Sequence, residues 1–236
     1  KDNPFAFKPT PEKMAIFHAL AAKDAGQPAS IHFEAVEQYI NSGATNWEEL
    51  ALQGLADLVV RMQGGPLETC LAEQLESLPE GFTAQLFSLL EHTRIGTQLS
   101  QVLSKVLDKT LDRASVDPLK LALLLRALSA SESVETTQSS VTKVLNSEAG
   151  TDIEVLTAIA TRCETALMLP ATLFSFLEAL ARSESDQKGF SRILAELMFL
   201  PVHRVLIVQA LRNPNLSERV KHATDEMFGE KFRQLN

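Results

Sequence analysis

The run Pro118-Leu119-Lys120-Leu121-Ala122-Leu123-Leu124-Leu125-Arg126-Ala127-Leu128-Ser129 is apolar on nearly every side of a helical wheel. Leu121, Leu124, Leu125 and Leu128 fall at i, i+3, i+4 and i+7 and make one stripe, which Leu119, Leu123, Ala122 and Ala127 widen. Asp117 is placed to accept from free amides of the first turn, and Pro118 suits the first helical position. Lys120 and Arg126 can lay their stems on apolar surface and keep their charged ends in water. A membrane span needs roughly 20 apolar residues, more than this run supplies. Its place is therefore interior, with neighbours covering it on at least two sides.

The same helical period recurs along most of the chain, while alternating strand patterns are scarce. Thr10 and Pro11 start a helix that runs to near Asp24, and Ser30 begins one closed by Asn41-Ser42-Gly43. Asn46 caps Trp47-Glu48-Glu49, with Leu50, Leu52, Leu55, Leu58, Val59 and Met62 continuing as one apolar face. Helices over 66–77, 80–91 and 96–109 follow. Beyond the 117–129 helix, the pattern predicts a Ser/Thr-rich helix at 132–146 with a thin stripe of Val134, Val141, Val144 and Leu145. Thr151 or Asp152 caps the next, to about Glu164, and three more cover 170–182, 186–199 and 201–212. The last runs from Ser217 to about Phe232. Residues 1–9 contain Pro4 and Pro9 and read as an extended arm that packs through Phe5 and Phe7. Residues 10–236 read as one helical domain, with a candidate subdivision near 110–116.

Helix starts near 46, 80, 117, 152, 186 and 216 are spaced by roughly 30–37 residues, the length of a two-helix repeat. Leu125-Arg126-Ala127-Leu128, Leu177-Glu178-Ala179-Leu180 and Val208-Gln209-Ala210-Leu211 echo one another at helix ends. The expected fold is all-α: an elongated stack of antiparallel helix pairs, about 11–13 helices in all, forming an α-α superhelix. HEAT-like stacking is the nearest analogy, and an irregular multi-helix domain is the alternative.

Two strings carry a family resemblance. Asp2-Asn3-Pro4-Phe5-Ala6-Phe7-Lys8-Pro9 and Leu52-Gln53-Gly54-Leu55-Ala56-Asp57-Leu58 resemble an uncharacterised bacterial family known only as a domain of unknown function. The resemblance covers most of the chain and implies a bacterial protein truncated at its N-terminus, in keeping with the start at Lys1. It implies no activity, ligand or functional residue.

Charge sharpens the surface picture. The net charge is −8, and residues 27–93 hold ten acids against Arg61 alone. Glu34, Glu37, Glu48, Glu49, Glu68, Glu73, Glu76 and Glu80 are predicted on helix surfaces there. Their ordinary role is solubility; the sharper one is docking a basic partner protein, through the first seven of them. Arg182, Arg192, Arg204 and Arg212 form a candidate anion surface, although Glu184, Asp186, Glu196 and Glu218 cancel much of its field and few aromatics are present for base stacking.

Motif chemistry is sparse. His18, His32, His92, His203 and His222 form no His-Glu-x-x-His, and Cys70 and Cys163 no Cys-x-x-Cys. His203 reads as a hydrogen-bonded interface histidine, and the cysteines as buried or half-buried thiols of a reducing compartment. Gly64-Gly65-Pro66 could offer amides to an anion but reads as a turn. Arg162-Cys163-Glu164 could tune a thiol, without a histidine in sequence reach. No catalytic, cofactor-binding or metal-ligating residue is assigned, and no cofactor is expected. The expectation is a cytoplasmic, non-enzymatic protein-interaction scaffold. A nucleic-acid-associated helical protein using the late arginines is the alternative, and an enzyme whose site assembles from distant residues comes third.

Overall fold

The computed structural model describes residues 9–42, 46–184 and 187–234. The 1–8 portion of the expected arm, with Phe5 and Phe7, lies outside them. Thirteen α-helices are present among the described residues, and the chain is all-α. Its only extended pairing there is an isolated parallel bridge between Ile95 and Ser131. The residues divide into two compact units: 1–103 with 130–132, and 104–129 with 133–236. The division falls inside α6 (Thr97–Leu111), which supplies residues to both.

The first unit contains α1 (Pro11–Asp24), α2 (Phe33–Ser42), α3 (Leu52–Arg61), α4 (Pro66–Gln74), α5 (Glu80–Leu90) and the start of α6. Thr10 caps α1 as expected, accepting from the Lys13 amide. The predicted continuous helix from Trp47 to Met62 is two elements. Asn46 caps only a 3-10 turn, Trp47–Glu49, and the extended backbone of Leu50 and Ala51 intervenes before α3. The break turns α3 against α1, α2 and α5. Leu55, Ala56, Leu58, Val59 and Val60 are thereby buried together.

Close approach requires Gly54, because a β-carbon there would meet the carbonyl of His32 and the side chain of Val36. Asp57, also buried, accepts from the Ser30 amide at 3.0 Å and faces Arg61 Nε at 3.6 Å. Arg61 donates in turn to the Gln27 carbonyl, 3.0 Å. Two residues of the family-like string 52–58 therefore fix the loop between α1 and α2. Their chemistry is structural.

The second unit contains the end of α6, α7 (Pro118–Ser129), α8 (Val134–Leu145), α9 (Ile153–Arg162), α10 (Pro170–Arg182), α11 (Gln187–Phe199), α12 (Pro201–Ala210) and α13 (Glu218–Gln234). Helices two apart in the chain pack on each other: α7 on α9, α9 on α11 and α11 on α13 in one row, α8 on α10 and α10 on α12 in the other. The 3-10 turns Glu148–Thr151 and Glu164–Met168, absent from the sequence expectation, make the connections between rows.

The α7 stripe is buried as its pattern predicts. Leu121, Leu124, Leu125 and Leu128 are fully enclosed, with Val155, Leu156 and Ile159 of α9 equally buried. Each such leucine contributes about 1.5–3 kcal/mol by leaving water. Asp117 accepts from the Leu119 amide at 3.0 Å. Leu119 departs from expectation: at the first turn it points outward and is 61 % exposed. Val134 of α8 is exposed as well, at the first helical position. The polar Thr137 and Ser140 take its place inside. Thr137 donates to the Leu128 carbonyl at 2.7 Å and Ser140 pairs with Ser104 at 3.1 Å, so neither hydroxyl is left unsatisfied.

Replacing Leu124 with aspartate should destabilise the protein by about 3–5 kcal/mol, because the carboxylate would be enclosed without a counter-charge. Denaturant unfolding of Leu124→Asp checks this, and near-native stability would contradict the burial assigned to α7.

Candidate functional site

The acidic residues of the first unit do not behave as one surface. Glu34, Glu48, Glu49, Glu73 and Glu76 are exposed, and Glu37 is half-buried. Glu34 accepts from Gln38 within α2. Glu68, expected on the surface with them, is 6 % exposed. Its carboxylate accepts from the Gly64 amide at 2.7 Å and the Gly96 amide at 2.5 Å. Gly64 has φ +68°, a backbone that glycine adopts freely, and so presents its N–H to the first turn of α4. The anion that Gly64-Gly65-Pro66 could receive is thus supplied by the chain itself. Glu68 belongs to the fold, and the acidic surface is thinner than the sequence suggests.

The late arginines lie on three successive helices of the second unit, α10 to α12, and on the turn after them. Arg192 pairs with Glu196 along α11, 3.4 Å, on an open surface where such a pair contributes little. Arg182 donates to the Glu178 carbonyl and Arg204 to the Met198 carbonyl, each near the C-terminal end of a helix, where positive charge is favoured. Arg212 is exposed two residues after α12.

Glu164 and His203, 39 positions apart, do come together, a meeting the sequence gives no sign of. His203 is buried on α12, and its Nε2 lies 2.7 Å from the Glu164 backbone carbonyl. This bond ties α12 to the 3-10 turn Glu164–Met168. The Cys163 thiol donates instead to the Leu125 carbonyl, 3.4 Å. Burial, and after it the negative charge of Glu164, push this thiol up to about 12. A fully enclosed neutral thiol is a core group, not a nucleophile. Cys70 is half-buried, and both cysteines are free. Among the described residues no cluster of His, Cys, Asp and Glu has a metal-holding arrangement, and no helix is long and apolar enough to cross a membrane.

The feature that stands out is apolar and lies at the α11–α12 corner. Leu200 alone connects the two helices, and Pro201 holds it in extended backbone at φ −79°, ψ 117°. The sharp corner throws Phe199 outward to 78 % exposure, and Leu200 is 41 % exposed. Only His203 and Ile207 of α12, four apart, are buried. This narrow stripe leaves Val202 at 53 % and Val205 at 56 % exposure. With Met168 and Leu169, six of the eleven large exposed apolar side chains among the described residues come from residues 168–205. Beside them a cleft of about 200 Å³ opens between Pro170, Leu173 and Phe174 on one side and Leu206, Gln209 and Ala210 on the other.

The signal for this corner was present in the sequence. Pro201-Val202-His203-Arg204-Val205-Leu206-Ile207-Val208 is apolar on more of its circumference than one neighbouring row can cover. A second, larger cleft of about 690 Å³ lies among the turns of the same unit, lined by Leu111, Arg113, Val116, Ser147, Asp152 and Glu184. Its polar groups do not converge: Asp152 caps α9 by accepting from the Glu154 amide, and Arg113 and Glu184 are exposed.

Glu68→Gln should cost about 1–3 kcal/mol, since the amide keeps one acceptor oxygen and loses the charge that strengthens both bonds; urea unfolding measures it, and an unchanged midpoint would show the clamp to be dispensable. For Cys163 the folded value is raised, so its neutral form supports folding fully below about pH 8.5, the value of a free thiol. That support is lost as pH climbs from there toward 12. Stability should therefore fall more steeply between pH 8.5 and 10.5 in the parent protein than in Cys163→Ala. Thiol labelling of the native protein should modify Cys70 well before Cys163.

No curated protein matches the chain at a significant level, and no solved structure does. The chain belongs to the family described as a protein of unknown function (DUF3549), whose sequence model matches residues 1–228.

Proposed function

We propose that this protein is a non-enzymatic protein-binding module whose contact surface is the apolar corner formed by Phe199, Leu200, Val202 and Val205. The concentration of exposed apolar side chains there carries the reading. Soluble chains rarely leave such side chains grouped in water, and grouped ones mark interaction sites. Full burial of a valine or phenylalanine yields about 1.5–3 kcal/mol, so a partner covering this corner gains more than any surface charge on the chain offers. The adjacent cleft of about 200 Å³ is smaller than the roughly 300–1,000 Å³ of most small-molecule sites, and suits one or two partner side chains.

The row packing within the second unit supports a repeat-like scaffold of the HEAT kind, in which rigid helices carry the contact residues. Two free thiols fit a reducing, cytoplasmic setting. The acidic surface of the first unit acts in solubility, and Glu196 beside Arg192 weakens the nucleic-acid alternative.

The test is affinity capture from the source cells with the parent protein and with Phe199→Ser/Val205→Ser as bait. Both side chains are exposed, so the variant should unfold at the parent's temperature within about 2 °C. A partner retained by the parent should be depleted at least about tenfold by the variant, the cost of roughly 1.4 kcal/mol or more of lost contact. Equal recovery on a folded variant would move the binding surface elsewhere.

A further inference from the structure

We infer that the occupant of this corner is a second copy of the chain, paired about a two-fold axis so that Phe199 of each copy enters the α10–α12 cleft of the other. The inference rests on the protein-binding reading and specifies the partner.

Three observations lead to it. First, a projection and a recess stand on the same corner. Phe199 lies two residues before α12 and is 78 % exposed. The cleft of about 200 Å³ opens toward the other end of that helix, among Leu206, Gln209 and Ala210, with Phe174 of α10 across it. The two features are about 10–17 Å apart along α12, at 1.5 Å per residue. A two-fold axis midway between them, beside Val202 and Val205, lays the two α12 helices antiparallel and brings each Phe199 to the other copy's cleft. The contact is then made twice, as an interface between identical faces requires. Second, the area suits a dimer. Phe199, Leu200, Val202, Val205, Met168 and Leu169 leave roughly 500 Å² of apolar surface in water, at about 150–200 Å² for each residue fully bare. A standard interface buries about 800 Å² on each partner, of which somewhat over half, about 500 Å², is apolar. The corner therefore supplies the apolar share of one side. Third, its charges are of both signs. Exposed Arg204 and Arg212 share the corner with exposed Glu196 and half-buried Glu178. A face of one sign would repel its own copy, whereas a face carrying both pairs with itself without net repulsion.

Sedimentation velocity of the full chain tests the pairing. Between about 1 and 200 μM, the weak end of the range open to an interface of this size, the mass should rise from 25.9 kDa toward twice that value. Phe199→Ala removes the projection, and Gln209→Trp, at an exposed position, lays a ring over the recess. With folding checked by circular dichroism, each variant alone should self-associate at least about tenfold more weakly than the parent. An equimolar mixture of the two should associate more tightly than either alone and less tightly than the parent. The Gln209→Trp chain keeps its Phe199 and the Phe199→Ala chain keeps its open cleft, so one of the two contacts is restored.

A parent chain that stays at 25.9 kDa across this range overturns self-pairing; capture from cells that still depends on Phe199 and Val205 would then keep the protein-binding reading with a different partner. A dimer that neither variant weakens overturns the corner as its interface. A mixture no tighter than its components overturns the exchange of Phe199 into the cleft.

Discussion

Between Pro118 and Ser129 six side chains have almost no access to water, and one neighbouring helix cannot enclose so wide a stripe. The second unit meets this demand by packing each helix on the helices two places away, so that α7 is covered by α9 from its own row and by α8 from the other. Apolar area thus decides the packing. Once α7 is enclosed, the places of α9 and α10 follow, because their own stripes face the same interior.

Polar groups inside this arrangement are tied down one by one. Thr137 and Ser140 occupy core positions of α8 and spend their hydroxyls on Leu128 and Ser104. Asp57 and Glu68 do the corresponding work in the first unit, each accepting backbone amides from turns that no helix can satisfy. Carboxylates are effective in that role because a charged acceptor makes stronger bonds to N–H groups than a neutral one. The same use removes them from any account of binding, however acidic their stretch of sequence is.

The corner at Leu200 and Pro201 is where the packing rule runs out. α12 carries more apolar surface than α10, α11 and the turn Glu164–Met168 can hide, so part of it stays in water. Polar side chains such as Gln101, Lys105 and Lys109 occupy the outward face of α6, whereas α12 turns Val202 and Val205 to the water. These two valines give the second unit a surface whose free energy falls when another apolar stripe arrives.

Helix by helix, the sequence determined most of the secondary structure, because capping residues, prolines and the 3.6-residue period act locally: Thr10, Asp117, Asp152 and Pro170 begin helices where their chemistry requires. It also determined which face of α7 is inside. What it left open depends on residues brought together from far apart. The break at Leu50, the clamp of Glu68 on Gly96, and the meeting of His203 with Glu164 are settled by contacts across 28 or more positions of chain in the two measured cases. The apolar excess of α12 was legible as composition, but whether a neighbour covers it is a property of packing. Only the tertiary structure could decide that Ile207 is enclosed and Val205 is not, since both have the same chemistry and differ only in the direction their helix turns them.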